Sequence, residues 1–111
     1  MDSILTSIKK LLGIAEEYEH FDADLILHIN SVFSNLTLLG VGPSKGFSIE
    51  DKSAVWDDYI KDDPRLNHVK TYIHLRVKLI FDPPSSSAVM EAIKREVDKL
   101  EWLLNVVAEN K

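Results

Sequence analysis

The sequence predicts an all-α fold, a small bundle of about four to five helices with one ordered loop containing Gly and Pro. Apolar residues recur at spacings of three and four through nearly the whole chain, the period of a helix with one buried face. Gly and Pro cut these runs at intervals that suit single helices. A length of 111 residues with 45% apolar content suits one compact domain, 1–111, whose core needs neither a disulfide nor a metal.

The first helix starts after Ser3, a good N-cap. It places Ile4, Ile8, Leu11 and Leu12 on one side and stops at Gly13, a residue typical of helix C-termini. Glu16 to His20 forms a polar link. The second helix opens at Asp22 and buries Leu25, Ile29, Val32, Phe33, Leu36 and Leu39 along one stripe before Gly40 ends it. From Gly40 to Glu50 turn formers alternate with Val41, Phe47 and Ile49, so this loop has apolar groups to bury and is ordered.

A short third helix is expected from Ser53 to Lys61, carrying Val55, Trp56, Tyr59 and Ile60. Asp63-Pro64 then reads as a capping Asp followed by Pro at the first helical position of the fourth helix. That helix presents Leu66, Val69, Ile73, Val77 and Ile80, widened by Tyr72, Leu75 and Leu79, and ends at Asp82-Pro83-Pro84. Ser85 to Ser87 offer the last N-cap. Val89, Ile93, Val97, Leu100, Leu104 and Val107 then step along the longest helix, with Glu91–Arg95 and Lys94–Asp98 as opposite charges four apart.

Composition excludes several classes of function. The chain has no Cys, so disulfides, thiolate metal sites and cysteine nucleophiles are ruled out, in keeping with a reducing cytoplasm. No run reaches the roughly 20 apolar residues of a membrane span, and the N-terminus lacks the pattern of a secretory signal. The reading is of a soluble protein that is not exported and has no membrane partner. A formal charge of -5 repels nucleic acid at long range.

Nothing in the residues points to catalysis. His20, His28, His68 and His74 show no metal-ligand spacing. The pairs Asp57-Asp58 and Asp62-Asp63 diverge by about 100° on a helix, and they lack the calcium-loop pattern. Gly40, Gly42 and Gly46 do not form a phosphate-binding loop, and the serines lie outside any nucleophile elbow. The basic residues Arg65, Lys70, Arg76 and Lys78, with Lys94, Arg95 and Lys99, read as solvated faces opposite apolar stripes. No catalytic, metal or cofactor site is expected. Trp56, Tyr59 and Trp102 raise the question of partner binding, because exposed aromatic residues anchor interfaces. Trp102 sits at the shoulder of its helix's stripe, where core and interface are equally open, and Trp56 and Tyr59 favour packing onto the bundle.

Three stretches taken together resemble a known pattern: Phe21 to Asn30 followed by Leu39-Gly40-Val41-Gly42-Pro43, then Val69 to Pro84, then Glu101-Trp102-Leu103-Leu104-Asn105. They look like the head-tail connector (head completion) proteins of long-tailed phages and of prophages in Gram-positive bacteria. The likeness runs from the first helix to about Asn105, and it rests on the order of core and turn features, with no single diagnostic motif.

The resemblance implies a non-enzymatic virion assembly protein. Its subunits form a homo-oligomeric ring beneath the portal, extend the channel through which genomic DNA passes without sequence-specific binding, and offer a docking surface to the tail or a stopper/adaptor protein. It implies assembly in the host bacterial cytoplasm and a final place at the virion head–tail junction. An acidic subunit suits such a channel, because a lumen that held phosphates strongly would retard DNA. The candidate protein interface is Val41, Lys45 and Phe47 in the loop, together with Trp102. Two other readings compete: a small helical regulatory adaptor or DNA-associated factor of phage or bacterial origin, and an enzyme subunit whose site is dispersed along the chain.

Overall fold

The computed structural model describes residues 3–109, with side chains over 3–106. In chain order the helices are α1 (Ile4–Leu11), α2 (Asp22–Leu38), α3 (Trp56–Tyr59), α4 (Leu66–Phe81) and α5 (Ser87–Glu109). The fold is a small all-α bundle. Among the described residues the only β-type pairing is an isolated antiparallel bridge between Ser3 and Val55.

Helix ends follow local chemistry. Ser3 Oγ accepts the Thr6 N–H at 3.2 Å, capping α1 as expected. Both α1 and α2 close with a left-handed glycine. After α1, Gly13 (φ 80°) lets the Ile14 N–H reach Lys9 O at 2.9 Å, and after α2, Gly40 (φ 85°) lets the Val41 N–H reach Leu36 O at 2.9 Å. This is the Schellman arrangement, which presses the apolar residue after the glycine back onto the helix. Val41 is fully buried as a result.

α4 lies at the centre, packed against α1, α2 and α5. Phe21 stacks edge-on against Phe81 at 5.1 Å between centroids, and Asn35 reaches Tyr72, so α2 and α4 run antiparallel. α5 antiparallels α4 on another side, with Arg76 against Glu101 and Ile80 facing the level of Val97. The core gathers Ile4, Leu5 and Ile8 of α1, the α2 stripe Leu25 to Leu36, Val69, Tyr72, Ile73 and Val77 of α4, and Val97, Leu100 and Leu104 of α5.

Several expected positions differ. The third helix is a single turn, because Val55 stays extended to pair with Ser3 and Ala54 O accepts the Ile4 N–H at 3.0 Å. α4 opens at Leu66, not at Pro64. Asp63 does not cap it in the helical sense: its Oδ1 accepts the Arg65 N–H at 2.9 Å in a turn that precedes the helix. Ile80 and Val89, assigned to apolar stripes, are 55% and 47% exposed: Ile80 lies open in the groove between α4 and α5, and Val89 sits in the first turn of α5. Neither Glu91–Arg95 nor Lys94–Asp98 closes into an ion pair among the described residues. Val107, the last residue of the α5 stripe, lies outside the described side chains.

Candidate assembly surfaces

The loop from Gly40 to Val55 is fastened at three points. Asn30 on α2 receives the Ile49 N–H on Oδ1 at 2.7 Å and donates from Nδ2 to Ile49 O at 2.9 Å, a two-point grip on the loop backbone. Phe33, Phe47 and Tyr59 form an aromatic triad with centroids 4.7 to 5.2 Å apart. Tyr59 donates its hydroxyl to Val41 O at 3.3 Å. Burial pushes the Tyr59 phenol well above its ordinary pKa, so the hydroxyl remains a donor. Gly42 takes φ +82° and passes so close to Tyr59 that a Cβ there would meet the ring at 2.5 Å. The loop is therefore a preformed surface, as its apolar residues predicted.

Within it the candidate interface residues separate. Lys45 is exposed at the loop tip, Phe47 is half-buried in the triad, and Val41 has no exposed surface at all. Val41 is corrected from a surface residue to a core residue, because the α2 terminus places it against Leu36. Trp102 lies elsewhere and is 64% exposed. It stands two residues from both Leu100 and Leu104, about 200° around the helix from each, which puts it on the outer face of α5 and not at the shoulder of the stripe. That signal was present in the spacing. Trp56 and Tyr59 are buried, with Trp56 Nε1 donating to Ser7 Oγ at 3.1 Å.

A second polar feature joins three helices. Glu101 Oε2 accepts the Tyr72 hydroxyl at 2.7 Å, Arg76 Nη1 at 3.1 Å and Asn35 Nδ2 at 3.4 Å, and Asn35 also donates to the Tyr72 oxygen. Burial, then the bond to Glu101, raises the Tyr72 phenol pKa. The residue types gave no warning of this network, since its members come from α2, α4 and α5.

Lys9 was also missed. It is 2% exposed, and its ammonium donates to Glu16 O at 2.9 Å and Tyr18 O at 2.7 Å while pairing with Asp22 Oδ1 at 2.9 Å. One buried cation thus ties the acidic link after α1 to the start of α2.

The basic residues from Arg65 to Lys78, at the start of α4 and along it, are engaged inside the fold. Arg65 is paired with Asp63 at 2.7 Å, Lys70 lies 5.3 Å from the centre of the Trp56 ring, Arg76 meets Glu101, and Lys78 lies 3.6 Å from Asp82. They do not form a free phosphate-binding row. The histidines are scattered: His20 packs edge-on against Phe21 at 4.8 Å, His28 and His74 are half-buried on different helices, and His68 is exposed. Asp58 accepts the Val55 N–H at 2.9 Å, a capping role for α3. Among the described residues no three His, Asp or Glu side chains converge to hold a metal ion, and no helix is long and apolar enough to cross a membrane.

A family model described as phage connector protein matches residues 4–111. The chain belongs to the phage connector protein family. No match was found among curated proteins or among solved structures. Membership makes the chain a connector-type structural protein of the virion, in contact with other virion components. The outward features of this connector are Trp102 on α5, Lys45 on the ordered loop, the acidic link between α1 and α2, and the groove where α4 meets α5.

Proposed function

We propose that this connector, a single domain over 1–111, assembles as a homo-oligomeric ring beneath the portal vertex, where it extends the DNA channel and presents a docking surface to the tail or a stopper/adaptor protein. The observation that carries the reading is the family match over residues 4–111. Two structural features support it. Trp102 is an outward aromatic residue, 64% exposed, of a type that anchors interfaces. The formal charge of -5 suits a channel that passes DNA without holding it. Assembly takes place in the host bacterial cytoplasm, and the finished ring sits at the head–tail junction.

The test is light scattering after size exclusion, on the purified subunit alone and mixed with the matching portal. The expected result is a discrete species of many subunits, either free or bound to the portal. A subunit that remains monomeric in both samples and is missing from purified particles overturns the reading.

A further inference from the structure

Charge is unevenly placed along this connector. Between residues 12 and 63 there are eleven acidic residues against three basic, whereas between 64 and 99 seven basic residues face four acidic. Each region also leaves apolar surface uncovered. In the acidic region, Glu16, Glu17 and Glu19 are exposed around Tyr18, itself 49% exposed. Lys9 holds the backbone of this link through Glu16 O and Tyr18 O, so the edge is preorganised and loses little freedom on binding.

In the basic region, Arg76, Leu79, Ile80, Lys94 and Val97 line a groove of about 250 Å³ between α4 and α5. That is below the ~300–1,000 Å³ of a typical small-molecule pocket and suits one or two side chains. Ile80 is 55% exposed there. Arg76 already meets Glu101, but Lys94 is exposed and has no ion pair among the described residues.

The two surfaces lie on different flanks of α4. His74 faces the end of α1 through the Leu11 backbone, whereas Arg76 faces α5 through Glu101. Two residues apart on a helix is about 200° of rotation. A contact that joins two different patches on opposite flanks is heterologous, the type that closes rings.

We infer that the acidic link of one copy seats in the α4–α5 groove of a second copy, with Tyr18 against Ile80 and Leu79 and the glutamates against Lys94. The inference rests on the proposed ring and names the surfaces that build it.

The test is zero-length carbodiimide cross-linking of a mixture of nitrogen-15-labelled and unlabelled protein, alone and with the portal, read by mass spectrometry. Mixed-isotope links between Lys94 and Glu16, Glu17 or Glu19 are expected as the main products. Lys94→Glu lowers the yield of cross-linked dimer about tenfold, because it removes the coupling amine and places like charges together. Adding Glu16→Lys, Glu17→Lys and Glu19→Lys to the same chain restores it, with links now running from the new lysines to residue 94. All four positions are exposed, and circular dichroism confirms that the variants are folded. Intermolecular links that are absent or confined to other residues, or a charge swap that fails to restore the yield, overturn the pairing. A ring seen on the portal without these links removes the pairing and leaves the ring. These links found only in open chains, with no closed ring, support the pairing and remove the ring.

Discussion

Replacing Lys9 by Met tests whether one buried ammonium governs the acidic link. Methionine keeps most of the apolar stem, so packing changes little. Three interactions of the ammonium disappear: the bonds to Glu16 O and Tyr18 O and the pair with Asp22. A hydrogen bond from a charged donor contributes about 1.5–3 kcal/mol where it is buried. Here Glu16 and Tyr18 are exposed, so water replaces part of the loss at their carbonyls, whereas Asp22 Oδ1 is itself enclosed; about 1 kcal/mol apiece is the minimum. The sum, at least about 2–3 kcal/mol, corresponds to a fall in melting temperature of roughly 8–12 °C or more for a domain of this size.

Urea denaturation measures the global part of this effect. Cleavage by a glutamate-specific protease measures the local part, because Glu16, Glu17 and Glu19 all lie in the link. The expectation is that cleavage accelerates more than the global loss explains, since releasing the link exposes its backbone while α2 and α4 stay packed. Asp22→Asn, which leaves the two carbonyl bonds in place, loses at least about 1 kcal/mol. A Lys9→Met protein within about 0.5 kcal/mol of wild type, with unchanged cleavage, refutes the reasoning.

Gly42→Ala forces a Cβ into a left-handed position and into the Tyr59 ring, and the expected loss of about 3 kcal/mol in urea denaturation shrinks when Tyr59→Leu is present in the same chain. Trp102→Ala leaves stability within about 0.5 kcal/mol because the ring is exposed, yet it weakens assembly or portal binding about tenfold, as read by light scattering or binding assay. Burial, reinforced by Lys78, lowers the His74 pKa from its ordinary 6.5. The unfolded chain therefore takes up this proton first, and stability falls as pH drops through 6.5 and levels off below the folded value. His74→Gln flattens this part of a urea series run between pH 7.5 and 5.

Much of the fold was legible because helix boundaries are written in single residues. Ser3 and Gly13 bound α1, Gly40 ends α2, and Asp82-Pro83-Pro84 ends α4, each through a local mechanism that needs no tertiary information. Where the reading failed, a distant contact outweighed the local signal. Ser53 to Lys61 has the apolar spacing of a helix, but the bridge between Val55 and Ser3 keeps its first residues extended. Val41 looked like a loop residue available to partners, although an apolar residue directly after a helix-ending glycine is the usual one to fold back onto the core.

The candidate surfaces were harder to read. Lys9 looks like any surface lysine, because two of its three partners are backbone carbonyls that carry no residue signature. The groove exists only because α5 runs antiparallel to α4, a fact of packing. Trp102 is the exception, since its angular distance from Leu100 and Leu104 already set it on the outer face.

The Glu101 network explains how α5 keeps one orientation while leaving that face free. Among the described side chains its buried apolar residues are Val97, Leu100 and Leu104, with Ile93 partly covered, a narrow stripe along the helix. Apolar contact is non-directional, so such a stripe tolerates sliding or rotation against α4 at little loss. Three donors from Tyr72, Arg76 and Asn35 converging on one carboxylate oxygen do not. A one-residue slip removes all three at once and leaves the buried Tyr72 hydroxyl without its acceptor, a penalty of about 1–3 kcal/mol for that group alone. The network therefore sets the register of α5, and with it the direction in which Trp102 points and the width of the groove beside Lys94. Polar residues inside the bundle determine where the apolar anchors outside it are offered.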